Sequence, residues 1–188
     1  LLISLISISA CTTKSDTTSA EALINASNKT LNILKNRSDL NKFNSQLRTA
    51  AGVAIFPSVY KAGFFAGAEG GNGILINKKS DGNWGYPAFY TLASGSWGLQ
   101  FGGQKSGVIF IINSPGAVEA LLQNQGKLSA GMNVAIGNLG TGLEGGITTN
   151  LGADIIAYSD SKGLFSGVAL KGSAMIRRND LNSEYYGE

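Results

Sequence analysis

Histidine is absent from this 188-residue chain, cysteine occurs once and proline three times. Without histidine the commonest general base and the commonest metal ligand at neutral pH are missing. One cysteine allows no internal disulfide, no Cys-x-x-Cys and no thiolate zinc site. Ser-His-Asp and Cys-His catalysis are excluded, and any metal would need oxygen ligands. Charged residues are also sparse, at 14%, against 43% hydrophobic. A chain of this length buries a core without staples, as one domain. These absences point to a binding or structural protein.

Glycine is abundant instead, with 26 residues, about twice the usual share. No Gly-x-y period accompanies it, so the expectation is strands, tight turns and close backbone contacts. The formal net charge is +3, and its distribution matters more than its size. Residues 11–61 hold seven Lys/Arg and three acids, whereas the remainder holds eight and nine. The positive excess lies in the N-terminal third.

Residues 1–10, Leu-Leu-Ile-Ser-Leu-Ile-Ser-Ile-Ser-Ala, are uncharged and resemble the end of a signal-peptide apolar region. With no Met and no basic n-region, the leader reads as incomplete at its start. Ile8-Ser9-Ala10-Cys11 resembles a bacterial lipobox, which implies cleavage before Cys11 and a diacylglyceryl group on its sulfur. Such an anchor contributes about 0.8 kcal/mol per buried methylene. Thr12, in place of Asp, points to outer-membrane sorting. The expected organisation is a signal remnant over 1–10, a lipidated cysteine and polar tether over 11–19, and one domain over 20–188.

From Ala20 to Thr49 the apolar residues Leu23, Ala26, Leu31, Leu34, Leu40, Phe43 and Leu47 recur at three- and four-residue steps, a helical pattern. Asn36-Arg37-Ser38-Asp39 predicts a break, with Ser38 or Asp39 capping a second helix. Lys29, Lys35, Arg37, Lys42 and Arg48 make these helices basic. Beyond Ala50 the chain reads as strands. Gly52–Phe56 is a run stopped by Pro57, Gly70-Gly71-Asn72 a hairpin turn, and Lys79–Asn83 a second turn. Ser114-Pro115 starts a short helix, and strands are expected over Leu128–Ile136, Ala153–Tyr158 and Leu164–Ile176. The fold class is therefore α+β: N-terminal helices on a large twisted, mainly antiparallel, barrel-like sheet with one short inserted helix.

Gly67-x-x-Gly70-x-x-Gly73 fails as a phosphate loop because no helix follows to supply an amide field. Nucleic acid is not an expected partner, since Lys105 is the sole lysine between 80 and 126. Tyr86, Phe89, Tyr90, Trp97 and Phe101 form an aromatic stretch, read as core with an apolar ligand face as the alternative. A carboxylate-based hydrolase would need two of Glu69, Glu144, Asp154 and Asp160 to face each other.

Five ordered segments carry a resemblance to a known family. Ala51–Phe64 resembles the opening motif of the SYLF domain, also called Ysc84 or DUF500. Gly70–Leu75 is similar to its glycine hairpin, and Trp84–Tyr90 to its Trp-x-x-Pro-aromatic segment. Ser96–Gln104 resembles its Gly-x-Gln-x-Gly signature and Lys162–Gly172 its closing motif. The resemblance implies a lipid-binding module without catalytic residues or cofactor. Eukaryotic members bind phosphoinositides and some bind actin; bacterial members are often secreted proteins or lipoproteins. For a bacterial surface lipoprotein the expected partner is anionic membrane phospholipid, not actin. Lys61 and Lys171, inside the motifs, and Lys29, Lys35, Arg37 and Lys42, on the helices, are the headgroup candidates, with Cys11 the lipidation site. The expected location is the bacterial envelope, at the outer membrane facing the periplasm. The alternative is an envelope lipoprotein that binds a protein partner.

Overall fold

The computed structural model describes residues 19–40, 42–63, 66–97, 103–123, 134–136, 154–160 and 173–187. Cys11, Glu144, Phe101, Lys171 and the closing motif lie outside them. Two helices come first, α1 (Ala20–Lys35) and α2 (Phe43–Thr49). Strands β1 (Gly52–Gly63), β2 (Ala66–Asn77), β3 (Ala88–Trp97) and β4 (Gly103–Ile112) follow. Then come α3 (Pro115–Gln123), β5 (Val134–Ile136), β6 (Ile155–Ser159), β7 (Ala174–Arg177) and α4 (Asn179–Tyr186).

The seven strands form one sheet in the order β5-β6-β4-β1-β2-β3-β7. Every neighbouring pair is antiparallel except β5 with β6. This is the expected α+β architecture. Among the described residues, however, the sheet does not close into a barrel, and β5 and β7 are its edges. Helices cover it on both faces, which solves the same burial problem that closure would.

One face packs Val53, Ile55, Ile74, Phe89, Ile109 and Ile111 against Leu23 and Leu34 of α1, Phe43 of α2 and Leu181 of α4. The other packs Ala54, Phe56, Phe110, Ile112 and Met175 against Val118 and Leu121 of α3. Burial on both faces explains why Val53–Phe56 and Val108–Ile112 are unbroken apolar runs instead of alternating ones.

Three local expectations need correction. Pro57 does not stop β1: the strand runs through it, and pairing with β2 and β4 shifts register around Pro57-Ser58. A residue without an N–H fits where the ladder is already interrupted. Gly70-Gly71-Asn72 is no turn but the interior of β2, in continuous register with β3. Glycine is required there because a Cβ on Gly71 would strike the Ser58 carbonyl and one on Gly73 the Phe56 ring. Neither Ser38 nor Asp39 caps α2, whose N-cap is Lys42 without a side-chain bond; Asp39 instead receives Arg37. Helix α4 was not expected. By contrast, the Ser114 cap is present, its Oγ accepting from the Ala117 N–H at 3.2 Å. The Lys79–Asn83 turn is also present, closed by Gly82 N–H on the Lys79 carbonyl.

Candidate functional site

Helix α1 buries Leu23, Ser27, Thr30 and Leu34 against the sheet. That phase leaves Lys29, Lys35 and Ile33 exposed, with Ile33 one turn beyond Lys29. The chain then turns into α2, where the Asn44 amide donates to the Lys35 carbonyl at 3.0 Å and ties the two helices together. Lys42 and Arg48 are exposed on α2. Residues 19–49 thus carry five bases against two acids, Glu21 and Asp39. Among the described residues Lys29, Lys35, Lys42 and Arg48 form no ion pair, so their charge is directed at solvent.

Arg37 differs from its neighbours. Its guanidinium grips Asp39 bidentately, at 2.9 and 2.5 Å, and donates to the Ser159 and Asp160 carbonyls at 3.1 and 2.9 Å. Its side chain is 15% exposed. The hydrogen bond and charge of Asp39 hold its pKa above the ordinary guanidinium value, against the opposing effect of burial. It fastens the α1–α2 connection to the end of β6, so its donors are engaged within the protein.

The basic surface continues from α2 to the turn between β2 and β3. Lys78 Nζ donates to the Arg48 carbonyl at 2.6 Å and lies 5.2 Å from the Trp84 ring centroid. Lys79 Nζ lies 5.2 Å from the Tyr86 ring. Trp84 is 40% and Tyr86 74% exposed. Cations over exposed aromatic rings make this corner amphipathic. In the turn, the backbone N–H of Asn83 donates to Asp81 and holds that carboxyl below its usual range.

The other candidates are not gathered here. Lys61 lies on β1, in register with Glu69 of β2 and Gln104 of β4. Phe89 and Tyr90 are buried on opposite faces of the sheet, as core. Burial pushes the Tyr90 hydroxyl up, partly offset by the nearby Arg177 charge. The carboxylates do not form an acid pair among the described residues. Glu69 is buried within β2, and Asp154 and Asp160 bound the two ends of β6. Asp160 accepts the Gly107 N–H at 2.8 Å. Among these residues no three His, Cys, Asp or Glu gather as metal ligands, and no helix is long and apolar enough to cross a membrane.

The aromatic–basic corner and Arg48 escaped sequence reasoning as site residues. The signal lies in Lys78-Lys79 and Trp84-x-Tyr86 flanking one turn; of the aromatic stretch read as core, Phe89 and Tyr90 are buried, whereas Tyr86 is exposed and corrects that reading.

Comparison with known proteins agrees with the resemblance. The family model described as Ysc84, Las17-binding protein actin regulator, matches residues 93–188. The human SH3 domain-containing YSC84-like protein 1 is 40% identical over 139 residues, covering 73% of this chain and 40% of that protein. LAS seventeen-binding protein 3 of Saccharomyces cerevisiae is 35% identical over 146 residues, covering 76% of this chain and 31% of its own length. The chain thus spans less than half of these relatives, which are named for binding and for an SH3 domain. With the five motifs in order and a family match across half its length, the chain belongs to the Ysc84 (SYLF) domain family.

Proposed function

We propose that this chain is a non-catalytic binding module that docks on anionic phospholipid through the outer side of its helix layer. The observation that carries this reading is the set of exposed cations on α1 and α2, none in an ion pair among the described residues, with Ile33 between them. Each basic residue near an anionic surface contributes about 1 kcal/mol. Ile33 and Trp84 supply the apolar contact that a headgroup region accepts. In the same reading Cys11 bears a diacylglyceryl group and residues 12–19 form the tether. The protein then sits in the bacterial envelope, at the outer membrane facing the periplasm. Lys61, on β1, and Lys171, within the closing sequence motif, are secondary headgroup candidates.

A protein partner is the second reading, favoured by the Las17-binding description of the family and of the yeast relative. Vesicle flotation of the Cys11→Ser chain separates the two. Co-flotation with phosphatidylglycerol vesicles, and not with phosphatidylcholine vesicles, is expected at low salt. Failure to float with either removes the lipid reading and leaves the protein partner.

A further inference from the structure

A second site lies beyond the basic corner, between α4 and the entry to β3. It is a cleft of about 450 Å³, within the range of roughly 300–1,000 Å³ usual for small-molecule sites. Tyr86 and Tyr186 line it, with Pro87 and Ala88 of the β3 entry, and Arg177, Asn179 and Ser183 complete the lining used here.

The cleft is built rigidly. The Asn182 side chain pairs with Phe89, accepting its N–H at 3.1 Å and donating to its carbonyl at 3.2 Å, and donates to the Arg178 carbonyl at 2.6 Å. The Tyr186 hydroxyl donates to the Pro87 carbonyl at 2.6 Å and fixes that ring. Tyr185 packs on both Phe89 and Tyr186, at 5.5 and 4.9 Å between centroids. Burial, and then the neighbouring Tyr185 and Tyr86 hydroxyls, push the Tyr186 hydroxyl up. A pre-organised cleft loses little entropy when a ligand enters.

Its chemistry selects a ligand class. Exposed tyrosine rings offer flat faces to the apolar C–H face of a sugar ring. The exposed Asn179 and Ser183 side chains offer donors and acceptors to hydroxyl groups. Arg177 is the one charged residue in the lining. A carboxylate suits the planar guanidinium fork, which binds it bidentately. We propose that the cleft between Tyr86 and Tyr186 binds an acidic sugar, a pyranose bearing a carboxylate. The cleft shares Tyr86 with the basic corner, but the cations of α1 and α2 that carry the lipid reading do not line it.

Titration of the full chain with glucuronate, glucose, acetate and AMP, followed by amide chemical shifts, tests the proposal. Glucuronate is expected to saturate with shifts centred on α4 and the β3 entry, and glucose and acetate to bind about tenfold or more weaker. Tyr86→Ala, at an exposed position, should weaken glucuronate about tenfold, and Arg177→Gln should erase its advantage over glucose. The triple variant at Lys29, Lys35 and Lys42 should leave this titration unchanged, so failure of vesicle binding and failure of sugar binding are read separately. No saturable shift with glucuronate, equal binding by acetate, tighter binding by AMP, or an unaffected Tyr86→Ala variant would each overturn it.

Discussion

Arg37 and Lys35 stand two positions apart with the same charge, and the structure gives them opposite tasks. Lys35 is exposed, whereas Arg37 donates to Asp39 and to two β6-end carbonyls. Hydrogen bonds to charged groups are worth about 1.5–3 kcal/mol, so Arg37→Ala should cost about 2 kcal/mol in urea unfolding. Lys35→Ala should stay within about 0.5 kcal/mol. Equal costs would contradict this division. Arg178 repeats the device at the other end of the chain, holding Asp180 at 2.8 and 2.6 Å and the Asn72 side-chain oxygen at 2.7 Å. The hydrogen bonds from Arg178 pull the Asp180 carboxyl down to about 2, below its ordinary 3.8. A carboxyl depressed on folding adds stability that is complete above its unfolded value and is lost as the pH falls through the folded one. Asp180→Asn should therefore lower the unfolding midpoint at pH 7 and converge with the parent protein near pH 2. A constant difference across that range would show that the charge pair is not responsible.

At the scale of elements, the fold was legible wherever local chemistry and periodicity agreed. Leu23 and Leu34 mark the buried face of α1, and Ser114-Pro115 starts α3. What could not be read was tertiary in origin. Pro57 and Gly70-Gly71-Asn72 are local turn signals, yet they lie in adjacent strands where a bulge on β1 presses against β2. The glycines answer that pressure, which no window along the chain contains. Arg37 looked like any other helix-layer cation for the same reason: its carbonyl partners are more than 120 residues away. Helix α4 is short and weakly apolar, with Leu181 its one buried residue, so periodicity missed it. Gly71→Ala tests the close approach. The added methyl should destabilise the protein by about 3 kcal/mol or more in denaturant unfolding, and a neutral result would mean that β1 and β2 do not meet this closely.

At the scale of the whole molecule, a sheet buried on both faces supports an outer layer of helices whose solvent side is cationic. The candidate lysines of the helices were legible because amphipathic spacing and charge are local properties. The corner of Lys78, Trp84, Lys79 and Tyr86 emerged only once the turn placed it beside Arg48. The central claim is that this layer binds by charge. Screening acts within about 8 Å at physiological salt, and three lysines near an anionic surface contribute about 3 kcal/mol together. The most direct test measures vesicle partitioning of the Cys11→Ser chain and of its Lys29/Lys35/Lys42→Gln derivative against phosphatidylglycerol content and ionic strength. The account predicts binding that rises with anionic lipid, falls with salt, and drops about 100-fold in the triple variant. Equal partitioning of the two proteins at low salt would contradict it.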